Sequence, residues 1–382
     1  MTPEAFAYIA GGAGLESTMN SNRSAFEKYT IVPRMLRDVS VRDISIELFG
    51  QKLTSPLLLA PVGVLQMVHR DADLAVGKAA AELNVPYIFS NQASVPMEEV
   101  AAVMGNRTRW MQLYWSKSNE LVESLAQRAE KCGCTALVVT LDTTLLGWRT
   151  RDLDVAYLPF LEGKGIAQYT SDPVFQKLMN EKSGHPAEKK VTAQSLAGLI
   201  QIIKNYPGKG FFSKLSSGRA VNAVQKFTDI YSNPSLTWKD LKFLRDRTKL
   251  PILLKGINHP DDARLAMDHG MNGIIISNHG GRQVDGAIST LDALPGIVEV
   301  VKDKVPVLID SGIRGGADIF KALALGAKAV CIGRPYVYGL AIGGQQGVVD
   351  VVSNLLADFD LCMGLAGCTN ISSISPDHVV KV

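Results

Sequence analysis

The chain has 382 residues, 46% hydrophobic and 20% charged, which excludes a disordered, collagenous or coiled-coil protein and allows a large buried core. Forty Lys and Arg against 37 Asp and Glu leave a formal charge of +3 with no basic block, so composition gives no reason to expect nucleic-acid binding. No apolar run reaches the roughly 18 to 20 residues of a membrane span, and the start MTPEAFAYIAGGAG lacks the regions of a secretory signal, so a cytoplasmic protein is expected.

In chain order, about 55 residues precede the first β-branched apolar run, and eight such runs follow. They are Leu57 to Ala60, Pro86 to Ser90, Arg109 to Tyr114, Ala136 to Leu141, Pro251 to Lys255, Gly273 to Ser277, Pro306 to Asp310 and Ala329 to Gly333. Between them, Ala72 to Leu83, Asn119 to Cys132, Asp261 to His269, Leu291 to Val301 and Ala317 to Leu325 carry apolar residues at helical spacing. Continuous apolar strands are buried on both faces, and alternation with helices makes the sheet parallel. Eight units fit a (β/α)8 barrel better than an open doubly wound sheet, and a plain barrel needs only about 250 residues.

The surplus has two places, a cap segment over residues 1–55 and an insertion of roughly 90 residues after the fourth strand, over about 150–235. The whole chain thus reads as one domain. The insertion lies on the strand-to-helix side, which in a barrel is the catalytic face, so it reads as an active-site lid. Its apolar stretch Leu196 to Ile203 reads as a lid helix in preference to a membrane-surface contact, since no aromatic cluster or basic face accompanies it.

Residues just after the strands of a barrel converge on one mouth, and polar chemistry is concentrated there. Ser90 ends the second strand, Gln112 and Tyr114 the third, Thr140 and Asp142 the fourth, with Arg149 close behind. Lys255 ends the fifth, Ser277 the sixth with His279 and Arg282, Asp310 the seventh with Arg314, and Gly333 the eighth with Arg334. Solvated loops account for two or three such residues and not for seven strands at once. DSGIRGGADIF and IGRPYVYGL combine glycines with helix starts at the usual phosphate position of a barrel, so Asp310, Gly312, Arg314, Gly333 and Arg334 read as a phosphate cradle. Neither a strand-linked G-x-G-x-x-G nor a G-x-x-x-x-G-K-[ST] occurs.

His279 is a natural general base, because an imidazole titrates near pH 6.5. Asp142 is placed to stabilise its protonated form, and Arg282 and Arg149 suit bidentate recognition of a carboxylate. Lys255 needs a negative partner inside the barrel and serves either a Schiff base or a cofactor ring on which negative charge develops. The six histidines form no H-E-x-x-H or comparable cluster, and the five cysteines, including Cys132 and Cys134, have no zinc-finger spacing, so no metal is expected.

From FAYIAGGAG to GRPYVYGL, and most specifically in SNHGGRQ, the chain resembles the FMN-dependent (S)-2-hydroxy-acid oxidases and dehydrogenases. The resemblance implies a (β/α)8 barrel with FMN at its mouth, His279 as base with Asp142 as partner, and Arg149 and Arg282 as the substrate-carboxylate clamp. It implies that Tyr8 and Tyr114 hydrogen-bond substrate and that Lys255 sits beside the flavin. Pro61, Val62, Gly63, Ser90, Gln112, Thr140 and Ser277 become flavin contacts. Asp310, Ser311, Gly312, Ile313, Arg314, Gly333 and Arg334 become the ribityl and phosphate site. Family members are usually homotetramers, so a homo-oligomer is implied. With Tyr8 so near the start, a longer native N-terminus is also implied.

Within the family, LLGWRTRDLDVAYLPFLEGKGIAQYTSDPVF looks most like lactate 2-monooxygenases. Gly63 lies where peroxide-forming oxidases commonly have Ala, and Gln92 where some members carry a bulky aromatic. The missing methyl is expected to open space near the reactive flavin edge. The resemblance therefore implies oxidation of L-lactate by molecular oxygen to acetate, carbon dioxide and water. The alternative is an L-lactate oxidase that releases pyruvate and hydrogen peroxide.

Overall fold

A computed structural model describes residues 1–181, 193–208 and 210–382, with side chains in the helix Ala193–Asn205 described from residue 198 onward. Eight strands form a closed parallel barrel: β1 (Leu57–Leu59), β2 (Tyr87–Phe89), β3 (Arg109–Leu113), β4 (Leu137–Thr140), β5 (Ile252–Lys255), β6 (Gly273–Ile276), β7 (Val307–Ile309) and β8 (Ala329–Ile332). Neighbours in the barrel follow chain order, and β8 closes on β1 with Val330 opposite Leu57. All eight expected runs are strands, each one or two residues shorter than its apolar stretch.

The strands read as continuous apolar runs because alternate residues enter two cores. Leu58, Ile88, Trp110, Val138, Leu253, Ile275, Leu308 and Cys331 fill the barrel interior, whereas Leu57, Tyr87, Met111, Leu137, Ile252, Ile274, Val307 and Val330 meet the helices. Each such buried side chain stabilises the fold by about 1.5–3 kcal/mol before entropy is counted.

One end of the interior is plugged by the hairpin Ile46–Leu48 and Gln51–Leu53, whose Leu48 and Leu53 join the interior core. Its turn residue Phe49 lies 5.8 Å from the Trp110 ring, centroid to centroid. Chemistry is left to the opposite, C-terminal end of the strands.

The cap segment begins with the helix Pro3–Ala10, started by the Thr2 side chain accepting from Ala5 N at 3.2 Å and by Pro3 in the first turn. The helix Ser17–Glu27 follows, held at its start by Asp285, which accepts from Leu15 N (2.8 Å), Thr18 N (3.0 Å) and the Ser17 hydroxyl (2.7 Å). At the far end of the chain, Val379–Lys381 pairs antiparallel with Tyr29–Ile31. The helix Arg334–Leu365 is divided by non-helical backbone at Gly343 and Gly344.

The long insertion after β4 is mostly helical, with Pro173–Leu178, Ala193–Asn205, Phe211–Ser217 and Arg219–Ile230 as its longer pieces. Residues 182–192 and 209, within the expected 150–235 span, lie outside the described residues. An aromatic cluster builds its inner side, with Phe227 at 4.8 Å from Tyr169, 4.9 Å from Tyr231 and 5.4 Å from Phe160. Arg128 on the helix Asn119–Lys131 anchors it by meeting Asp172 at 3.1 Å and Glu98 at 2.8 Å. The expected apolar stretch Leu196 to Ile203 falls within the helix Ala193–Asn205, whose Ile203 is buried and whose Asn205 amide donates to Glu162 O at 2.8 Å. No helix among the described residues is long and apolar enough to cross a membrane.

Candidate active site

The C-terminal ends of β2 to β6 carry a buried polar ladder. The Ser90 hydroxyl and Asn91 N both donate to Gln112 Oε1, at 3.2 and 3.1 Å, and Gln112 Nε2 donates to the Thr140 hydroxyl at 3.1 Å. Thr140 lies beside Lys255 in register, and Lys255 Nζ donates to the Ser277 hydroxyl at 2.7 Å. Ser90, Gln112, Thr140, Lys255 and Ser277 stand at or just past the ends of their strands, so the side chains that alternate inward within the barrel become polar at its mouth.

Above the ladder opens a pocket of about 1130 Å³, counting its mouth. Tyr8, Pro61, Val62, Gly63, Tyr114, Arg149, Lys255, His279, Arg282, the segment Asp310 to Arg314, Gly333 and Arg334 all line it. Asp142, Ser90, Gln112, Thr140 and Ser277 stand behind that wall and bond to residues that line it or to one another.

His279 takes a left-handed backbone at φ +58°, followed by Gly280 and Gly281 at +66° and +76°. That turn sends its ring back over the mouth, where Nδ1 meets Asp142 Oδ1 at 2.8 Å. Burial lowers the His279 imidazolium below its ordinary value, and Lys255 and Arg149 add to the lowering while Asp142 opposes it. Burial alone would raise Asp142, but His279, Lys255 and Arg149 outweigh it and hold the carboxyl below the usual range. Lys255 lies between two carboxylates, 3.1 Å from Asp310 and 4.0 Å from Asp142. Burial opposes its charge, and those two partners more than restore it, so Lys255 is held protonated. Burial and the nearby Asp142 charge push the Tyr114 phenol up to about 12, which keeps it a hydrogen-bond donor.

Arg149 and Arg282 flank the Tyr8 ring, their guanidinium carbons 5.7 and 4.9 Å from its centroid. Burial, with Arg149 and Arg334 close by, depresses the Arg282 guanidinium to about 9. Arg334 is likewise lowered, to about 10, by burial and by Arg314. Cations gathered this way are stabilised by an incoming anion. Arg282 bonds the backbone oxygens of Tyr8 and Gly11, and Arg334 bonds those of Ile9, Gly11 and Gly280 at 3.0, 2.8 and 2.9 Å. Both arginines therefore also strap the N-terminal segment onto the mouth, which is how Tyr8 reaches the pocket.

At the other end of the pocket, Gly312 takes φ +91° and Gly333 precedes the N-terminus of the helix Arg334–Leu365, with Arg314 and Arg334 alongside. A Cβ on Gly280 would lie 2.7 Å from Arg334 Nη1, so only glycine lets that guanidinium seat here. Backbone N–H groups, glycines and two cations fit a phosphate. A buried lysine and a bed of short polar side chains fit the polar edge of a flat ring system. The residues present thus suit FMN.

Several residues of the site carried no sequence signal. Phe160 and Tyr231, from the insertion, and Leu146, from the loop after β4, wall the pocket, and Thr143 lies beside Tyr114 with a buried hydroxyl. Gln283, next to Arg282, bonds the loop after β4. The motif SNHGGRQ contained it, but nothing in the spacing says what its amide meets.

A family model described as FMN-dependent dehydrogenase matches residues 1–381. The chain is 45% identical over 382 residues to an FMN-dependent alpha-hydroxy acid dehydrogenase of Penicillium citrinum, covering 100% of this chain and 88% of that protein. It is 45% identical over 376 residues to an L-lactate oxidase of Lysinibacillus sphaericus, covering 98% of this chain and 88% of the relative. Among solved structures, it is similar to a mandelate oxidase crystallised with (S)-4-hydroxymandelic acid, at 35% identity and a TM-score of 0.80 over 98% of this chain and 93% of that one.

Proposed function

Since the chain belongs to the FMN-dependent dehydrogenase family and its cofactor is FMN, we propose that its mouth oxidises a small (S)-2-hydroxy acid, L-lactate foremost, with molecular oxygen as final acceptor. The observation that carries this reading is the convergence of the His279–Asp142 pair with Arg149 and Arg282 across Tyr8 in one pocket. FMN, when bound, accepts the two electrons that leave the substrate carbinol.

The protein's own groups do the rest. Arg149 and Arg282 hold the substrate carboxylate, which orients the carbinol toward His279. Tyr8 and Tyr114 hydrogen-bond the substrate. His279 is neutral at pH 7, so its free Nε2 takes a proton, and Asp142 stabilises the imidazolium that results. Lys255 would lie at the flavin's polar edge, and Pro61, Val62, Gly63 and the ladder Ser90, Gln112, Thr140 and Ser277 would contact the ring. Asp310 to Arg314 with Gly333 and Arg334 would hold the ribityl chain and phosphate.

Two outcomes divide on how long the 2-oxo acid stays bound. If it stays while oxygen takes up the electrons, peroxide formed in the closed site decarboxylates it, giving acetate, carbon dioxide and water. Phe160, Tyr231 and Leu146 line the pocket, and with the insertion as a lid over them they support this monooxygenase outcome. If pyruvate leaves first, hydrogen peroxide escapes, and the 45% identical relative named L-lactate oxidase supports that second reading. Oxygen uptake with L-lactate, with acetate, pyruvate and peroxide assayed in one tube, separates them. No flavin reduction by any small 2-hydroxy acid would overturn the reading altogether.

A further inference from the structure

The loop after β4 carries Asp142, Thr143 and Arg149, yet little packing holds it. Leu145 is 69% exposed and Trp148 72% exposed, so its largest apolar side chains face away from the barrel. It is wound instead around one amide, with Gly14 N also donating to Trp148 O at 2.8 Å. Gln283 Nε2 donates to Asp142 O at 2.5 Å and to Leu145 O at 2.8 Å, while its Oε1 accepts from Gly147 N at 3.2 Å and Arg149 Nη2 at 3.3 Å. A primary amide has two donor hydrogens and two acceptor lone pairs, and all four meet this single loop.

The approach is close enough to require glycine opposite. A Cβ on Gly147 would lie 2.5 Å from Arg282 O and 2.8 Å from both Gln283 Cα and Gln283 O. The amide therefore fixes the backbone of the residue that orients His279 and, together with Arg282 O, which accepts from Arg149 Nε at 3.2 Å, the guanidinium that faces the substrate carboxylate.

We propose that Gln283 is a positioning residue for the reaction, setting Asp142 and Arg149 relative to His279 and Arg282. This rests on the roles given to those four residues above. A group displaced by about 1 Å costs on the order of 10²-fold in rate, which is the scale a lost four-point anchor reaches.

The test compares native holoenzyme with Gln283→Met, which keeps the side chain's length and removes all four bonds, and with Gly147→Ala, whose Cβ presses on the backbone of Arg282 and Gln283 and so parts the loop from the amide while keeping the Gln283 side chain. FMN content and melting temperature are measured alongside kcat, KM for L-lactate, and the dissociation constant for pyruvate read from the flavin absorbance. At full FMN occupancy, both variants are expected to lose roughly 10-fold or more in kcat, with KM and the pyruvate dissociation constant each raised about 10-fold. If one variant does not fold, the other carries the test. Values within twofold of native in a folded, flavin-loaded variant overturn the inference. So does a fall in kcat with carboxylate affinity unchanged, since Arg149 would then be held without Gln283. A native holoenzyme whose flavin no 2-hydroxy acid reduces overturns the functional reading, and this inference falls with it.

Discussion

Asp142 Oδ1 meets His279 Nδ1 at 2.8 Å, and the other carboxylate oxygen, buried, finds no hydrogen-bond partner among the described residues. Asp142 stays ionised even so, held by His279 on one oxygen, by Lys255 at 4.0 Å from the other and by the Arg149 charge. Its contact with Nδ1 leaves Nε2 as the nitrogen available for proton transfer.

His279→Ala is expected to leave a folded, yellow protein whose flavin is reduced by L-lactate about 10²–10⁴-fold more slowly. Asp142→Asn keeps the shape and removes the charge that stabilises the imidazolium, so it should fall in the same range. Stopped-flow absorbance reads both. Rapid reduction retained in His279→Ala would remove it from the base role.

Because burial holds the His279 imidazolium below its ordinary value of about 6.5, the base is neutral at pH 7 and lost only on further acidification. The acid limb of kcat/KM should therefore have its midpoint below about 6.5. A midpoint above that value would contradict the balance of burial, Asp142, Lys255 and Arg149 described here.

The barrel was legible because strands buried on both faces leave continuous apolar runs, and the mouth because polar residues end those runs at a fixed phase. Asp142, His279 and Arg282 could be placed at the mouth for that reason. The contacts of Gln283 could not, since its partners are mostly backbone atoms of a loop about 140 residues away in sequence. Phe160 and Tyr231 were hidden because an aromatic cluster around Phe227 places them, and that cluster depends on contacts within the insertion that no local period records. The hairpin under the barrel left no such signal because its strands are only partly buried, so charged residues interrupt them and no continuous apolar run marks them.

Gly63 behaves differently from the sequence expectation of open space. A Cβ there would lie 3.0 Å from both Gln92 Cβ and Gln92 O and 3.3 Å from Ser90 Oγ, so an added methyl presses on the loop after β2. That loop must give by a few tenths of an ångström, and Gln92 lines the pocket. Gly63→Ala is expected to cost about 1–3 kcal/mol of stability and to shift products toward pyruvate and peroxide. An unchanged acetate-to-pyruvate ratio would separate Gly63 from product retention.

Lys255→Met would leave Asp310 and Asp142 without their shared cation. Removing one member of a buried charge set costs about 3–5 kcal/mol, so the urea midpoint should fall accordingly, and FMN should be retained less tightly. Equal stability and equal flavin content would show that the two carboxylates are compensated from elsewhere.

Asp73 offers a stability test independent of catalysis. It is 1% exposed and accepts from Ser94 N at 2.8 Å and from the Tyr87 hydroxyl at 3.4 Å. Burial outweighs these bonds and pushes its carboxyl up to about 7. The folded state therefore keeps a proton that the unfolded chain releases near pH 3.9. The stability this provides is full below about pH 3.9 and is lost as pH rises to about 7, a swing of roughly 4 kcal/mol. Asp73→Asn cannot titrate, so its stability relative to native should rise between pH 4.5 and 8 and level off above that. Denaturant midpoints of both proteins at matched pH values read this difference directly. A pH-independent difference would mean that the Ser94 and Tyr87 bonds keep Asp73 ionised throughout.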